Sequence, residues 1–176
     1  ARVFLQQRKK PVAERRETTI EADRAVVDRQ AEVADFEMYP SRKPQDRFVR
    51  SIETKTYARS RHARLNFGRE SGAIHYLVMK EDVLVKERQS PENSSETETE
   101  TGVGTSPSEP GELRYATAGL AEFDADRDQV TLTVFPQFYQ GADTVTGEKI
   151  ILHRETQLVE VEQGNAFSTG KRERSR

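Results

Sequence analysis

The chain has 176 residues, 34% of them hydrophobic and 33% charged, and a net charge of −2. That length fits one domain with a thin core under a polar surface, and the near-zero charge carries no nucleic-acid footprint. Cysteine is absent, which removes disulfides, thiol catalysis and Cys-based zinc sites, and no apolar run reaches the length of a membrane span.

Residues 1–17 are basic and without periodicity, and read as a tail. Their longest apolar stretch is three residues, too short for a signal peptide, although a basic flank is also what a removed signal or anchor leaves behind. The first strand signal is Thr18–Asp28, with Ile20 and Ala22 in one register and Ala25 and Val27 in the next. A second strand, Ala31–Tyr39, ends before Pro40 and Pro44. The spacing around Ala25–Phe36 also admits a helix, but the alternation and the nearby Val and Thr argue for strand. Phe48–Ser60 alternates weakly, and a clear hairpin over His62–Val78 and a strand over Asp82–Arg88 follow.

Residues 90–111 hold Ser, Thr, Glu, Gly and Pro with one branched aliphatic, Val103. Such a segment cannot bury enough apolar area to offset its ordering entropy, so it is expected to be a mobile loop between two strands. The clearest strands come after it, over Leu113–Asp124, Gln129–Phe138, Thr144–Arg154 and Gln157–Phe167, before a polar tail at 168–176. Removing the tails and the insert leaves a single domain at 18–167, of about ten to twelve short strands at usual strand and turn lengths.

One unit recurs. In His62–Val78, Ala63, Leu65 and Phe67 alternate, a polar turn follows, and alternation resumes at Ile74, Tyr76 and Val78. In Gly119–Phe135, Ala121 and Phe123 lead through a turn to Val130, Leu132 and Val134. Looser copies lie at Ala25–Phe36 and Ile150–Val161. Period-two alternation with polar turns means antiparallel hairpins, and its repetition means hairpins stacked so as to cover one another's apolar faces. The expected fold class is all-β: a sandwich, jelly roll or open barrel.

No chemistry accompanies the repeat. His62, His75 and His153 do not fall at metal-ligand spacing, so no metal site is expected, and no cofactor. Asp124, Asp126 and Asp128 begin like a calcium loop but lack its Gly at position six and Glu at position twelve, and turn chemistry accounts for them. Gly102 and Gly104 precede neither a helix nor Lys-Ser/Thr, so they form no phosphate loop. There is no nucleophile elbow, and the chain is not expected to be an enzyme. The basic runs at Arg8–Lys10, Arg15–Arg16 and Arg59–Arg64 are suited to lipid phosphate or to a solvated face. Residues 1–90 carry 20 Lys and Arg against 14 Asp and Glu, and residues 91–176 carry 8 against 16. That asymmetry would orient head-to-tail association, unless the acidic insert and scattered surface charge account for it.

The stretch Tyr115–Ala166 resembles the OstA/LptA-like family of lipopolysaccharide-transport proteins. The likeness rests on Ala121, Phe123–Asp124, the alternation Val130, Leu132, Val134, a strand from Gly147 to Ile150, and the closing Val159-Glu160-Val161. Ile20–Asp28 is similar to the family's opening repeat. The acidic insert, the charged first half and Pro40 and Pro44 depart from the pattern, leaving soluble LptA-type, anchored LptC-type and LptD N-terminal-domain relatives open.

The resemblance implies a twisted, open β-jellyroll in the periplasm, or at the inner membrane if an anchoring span precedes the chain. It implies an apolar groove for the acyl chains of lipopolysaccharide. Ile74, Tyr76, Val78, Phe123, Val130 and Leu132 would line it, with Val134, Phe138, Ile150, Leu152, Val159 and Val161. It also implies head-to-tail pairing with other jellyroll domains, or with further copies, through terminal strands around Ile20 and Ala22 and around Val159 and Val161. The same apolar residues would serve as ordinary core in a structural or adaptor domain with a closed interior and no lipid cargo.

Overall fold

The computed structural model describes residues 2–6, 17–39, 47–68, 73–87 and 114–168. These residues form fifteen strands and no helix. The first half holds β1 (Arg2–Gln6), β2 (Glu17–Glu21), β3 (Arg24–Asp28), β4 (Val33–Glu37), β5 (Val49–Ile52), β6 (Thr56–Ser60) and β7 (His62–Phe67). Two long strands follow, β8 (Ile74–Glu87) and β9 (Arg114–Asp124). The rest are β10 (Gln129–Thr133), β11 (Gln137–Gln140), β12 (Asp143–Thr146), β13 (Lys149–His153), β14 (Val159–Glu162) and β15 (Asn165–Ser168).

All pairings are antiparallel, and β8 and β9 divide the strands into two sheets. The first part of β8 pairs with β7 and its last part with β6. The first part of β9 pairs with β11 and its last part with β10. Between these parts the β8–β9 register shifts, and Glu81 and Asp82 take φ of 63° and 52°. A bulge of this kind bends both strands and passes them from one sheet to the other. One sheet therefore runs β1-β2-β5-β6-β8-β9-β11-β12-β15, and the other β3-β4-β7-β8-β9-β10-β13-β14.

Among the described residues, the chain crosses between the sheets along one side, here called the seam. Crossings fall near Asp23 (β2 to β3), Arg61 (β6 to β7), Val134–Pro136 (β10 to β11), Gly147 (β12 to β13) and Gly164 (β14 to β15), and β4 and β5, which belong to different sheets, also end and begin on this side. The described turns on the opposite side, the mouth, stay within one sheet. Three of them share a device: a residue in the left-handed region at or next to the turn's end, Glu32 (φ 58°), Asp128 (φ 54°) and Gln157 (φ 58°). In two of the three an aspartate closes the turn. Asp28 Oδ1 accepts the N–H of Gln30 and Ala31, and Asp124 Oδ1 accepts those of Asp126 and Arg127.

The all-β jellyroll matches the expected fold class. Strand boundaries differ. Arg2–Gln6 is a strand paired with β2, where a tail was expected. Thr18–Asp28, Gln129–Phe138, Thr144–Arg154 and Gln157–Phe167 each split at the seam, while the two signals inside 74–88 belong to one strand of 14 residues. The insert at 90–111 and the tail beyond Ser168 lie outside the described residues.

Candidate functional site

Inward side chains of both sheets meet in one apolar cluster. Ile20 and Val49 come from one sheet, Phe36, Leu65, Leu132 and Ile150 from the other, and Met79, Val83 and Phe123 from the shared strands. The centre is tightly closed: Met79, Leu132 and Ile150 are each 0% exposed. Toward β14 the same inward face opens, because Leu152, Val159 and Val161 are only partly buried against it. At the other end Val27, on β3 and opposite the buried Ala34, is 52% exposed.

At the mouth the inward positions change from apolar to charged. Val49 and Ser51 point inward, and the next inward position is Glu53. Along β13, Ile150 and Leu152 lead to Arg154, and along β9, Ala118 and Ala116 lead back to Arg114. Arg154 Nη1 donates to Glu53 Oε2 at 2.6 Å, and its Nε to Asp128 Oδ1 at 3.0 Å. Thr18 Oγ1 donates to the other Glu53 oxygen at 3.1 Å. Glu53 sits in the first sheet and Arg154 in the second, so this pair joins the lips of the mouth.

A second bridge runs the other way. Arg114, in the first sheet, donates from Nη2 to the Gln157 carbonyl of the second at 3.0 Å, and from Nη1 to Glu87 at 3.2 Å. Its guanidinium carbon lies 5.4 Å from the centre of the Phe138 ring, and its Nε is buried without a hydrogen-bond partner. Beneath the first bridge is a pocket with Thr18, Glu53 and Arg154 above and Ile74, Leu77 and Phe123 as its apolar wall.

Of the twelve expected groove residues, nine point inward. Ile74, Phe123, Val130, Leu132, Phe138 and Ile150 are buried, and Leu152, Val159 and Val161 are partly so. Three do not. Tyr76 and Val78 pair across β8–β9 with Asp124 and Glu122 on the outer face, while Leu77 and Met79 take the inward positions opposite Phe123 and Ala121. The cause is a register shift between Asn66 and Phe67, which displaces β8 by one residue against β7. Burial and then the carboxylates of Glu122 and Asp124 push the Tyr76 hydroxyl above its usual value, against an opposing effect of Arg127. Val134 lies past the end of β10 with φ of 62°, and is 55% exposed.

Of the expected docking residues, Val159 and Val161 lie on β14, which ends its sheet. Ile20 and Ala22 do not mark a free edge. β2, which holds Ile20, is paired on both sides, by β1 and β5, and Ile20 is fully buried. The outer strands at that end are β1 and β3. Sequence reading also missed the charged rim, because isolated Glu, Asp and Arg at strand ends look like solvated turn residues. The retrievable signal is parity, since Glu53, Arg114 and Arg154 each continue an inward alternation.

The histidines are dispersed, His62 near Glu81, His75 near Asp126 and His153 near Glu160. Among the described residues no three His, Asp or Glu side chains gather as a metal site.

The family model for LptA and LptD N-terminal-domain lipopolysaccharide transport proteins matches residues 12–158. No curated protein matches the chain in sequence. Among solved structures, the fold is similar to that of LptH from Pseudomonas aeruginosa, described as the LptA homologous periplasmic component of the conserved lipopolysaccharide transport device. The TM-score is 0.60 at 15% identity, over 97% of this chain and 92% of that one.

Proposed function

Because the chain belongs to the LptA and LptD N-terminal-domain family of lipopolysaccharide transport proteins, we propose that it is a non-enzymatic, periplasmic bridge that holds the acyl chains of lipopolysaccharide between its two sheets. The observation that carries this reading is the single apolar cluster spanning both sheets, covalently closed along the seam and capped by a charged rim at the mouth. A seated acyl chain gains roughly 0.8 kcal/mol per buried CH₂, while the rim meets the water and the polar headgroup. The periplasmic description of LptH supports the compartment.

Head-to-tail assembly is part of the proposal. Among the described residues each sheet ends in an edge strand, which invites strand addition. β14 alternates Val159 and Val161 with Glu160 and Glu162. β3 presents Val26 and Val27, 45% and 52% exposed, beside Arg24. Exposed or half-buried valines on both strands thus fit β14 of one domain to β3 of the next. Substituting Val161→Lys is expected to abolish end-to-end association seen by sedimentation, with circular dichroism checking that the monomer, in which Val161 packs partly against the core, stays folded. Unchanged association would remove β14 from the assembly.

One feature favours the alternative of an adaptor with a closed core, namely the complete burial of Met79, Leu132 and Ile150. The readings separate in a direct assay. The purified chain, offered lipopolysaccharide micelles without nucleotide, should bind about one lipid per domain saturably. No saturable binding would leave the adaptor.

A further inference from the structure

We propose that the mouth is a latch, and that the Arg154–Glu53 and Arg114–Gln157 bridges must part for an acyl chain to enter or leave. This rests on the lipid-carrying reading and assigns the entry route. The seam is crossed repeatedly by the backbone and cannot open without unravelling strands. Among the described residues the turns at the mouth stay within their own sheets, and the lips meet through two arginine side chains, which can part without losing any strand pairing. The pocket lies directly under the first bridge, with polar residues on the lip side and Ile74, Leu77 and Phe123 on the interior side.

The charges also fit a latch better than a headgroup site. Arg154 already faces both Glu53 and Asp128, and Arg114 faces Glu87, so three carboxylates accompany two guanidiniums. A phosphate arriving at the closed rim meets, among these described groups, carboxylates in excess over guanidiniums. The bridges are also sheltered, with Arg154, Glu53 and Asp128 side chains 11%, 16% and 15% exposed, and salt screens sheltered pairs weakly. Thermal opening is therefore infrequent, and loading should be slow unless something pulls the lips apart.

The absence of native cysteine makes the test clean. The pair E53C and R154C, introduced together and joined by a short bis-maleimide, ties the lips covalently. Loading of fluorescent lipopolysaccharide is followed by stopped flow for the tied protein, for the same variant blocked with a monofunctional maleimide, and for the unaltered chain. The tied form should load at least tenfold more slowly than the blocked one. Equal rates for the two would overturn the latch while leaving the carrier reading intact. Failure of the unaltered chain to bind lipid at all would overturn the carrier reading, and the latch with it. A second variant, Glu53→Gln, keeps the side-chain shape and removes the charge, and should load several-fold faster than the unaltered chain. A rate no faster than that of the unaltered chain would likewise contradict the latch.

Discussion

Arg154 is the residue on which the two sheets most depend at the mouth. It is 11% exposed and satisfies two carboxylates, Glu53 from the opposite lip and Asp128 from its own. Removing a sheltered cation strands the charges it neutralised, which costs more than losing one hydrogen bond. Arg154→Met is therefore expected to lower unfolding free energy by about 3 kcal/mol, and Glu53→Gln by about 1 kcal/mol, both read by urea titration. Equal losses would show that the network is not an ion-pair cluster. Only parity marks these residues in the sequence, where charged residues beside turns otherwise have an ordinary solvated explanation. The apolar positions were more legible, since Phe123, Val130, Leu132 and Ile150 alternate without a competing register. Tyr76 and Val78 misled because residues 74–79 offer apolar side chains in both phases, Ile74, Tyr76 and Val78 against Leu77 and Met79. A register shift in the neighbouring pairing, which no local pattern records, chooses between them.

At the scale of elements, the seam stores local strain. Val134 and Phe135 take φ of 62° and 56°, where a β-branched or bulky side chain is crowded. Phe135 is left 90% exposed. The kink carries the chain from β10 to β11 and is fastened by the Gly119 N–H donating to the Val134 carbonyl at 2.8 Å. A Cβ on Gly119 would stand 2.6 Å from Val134 Cγ1 and 3.3 Å from the Val134 carbonyl. Gly119→Ala is expected to cost about 1–3 kcal/mol by overpacking. Val134→Gly should recover about 1 kcal/mol by relieving the left-handed Cβ, and should make the alanine at 119 tolerable. Additive effects in the double-mutant cycle would contradict the packing account. The sequence pattern carries the turns at the mouth, where Asp28 and Asp124 advertise them. It carries the seam poorly, because a strand that changes sheets can keep its alternation. The change of phase between Ile20–Ala22 and Ala25–Val27 is the exception, and it marks a real crossing at Asp23.

For the whole molecule, the fold is a two-sheet jellyroll with a backbone-built seam, a side-chain-built mouth and, among the described strands, edge strands at both ends. The central claim is that its interior takes lipid chains and its outer faces do not. Two pairs of aromatic residues of similar size test it. Phe123 and Phe138 point inward and are 6% exposed, whereas Tyr76 and Tyr139 sit on the outer faces, Tyr139 stacked on Tyr115 at 4.5 Å. A benzophenone amino acid placed at each of these four positions, with the protein loaded and irradiated, reports which face meets the lipid. Crosslinks to lipopolysaccharide should form from positions 123 and 138 and be absent from 76 and 139. Crosslinks confined to the outer positions, or absent from all four while the lipid is bound, would contradict a lipid-bearing interior.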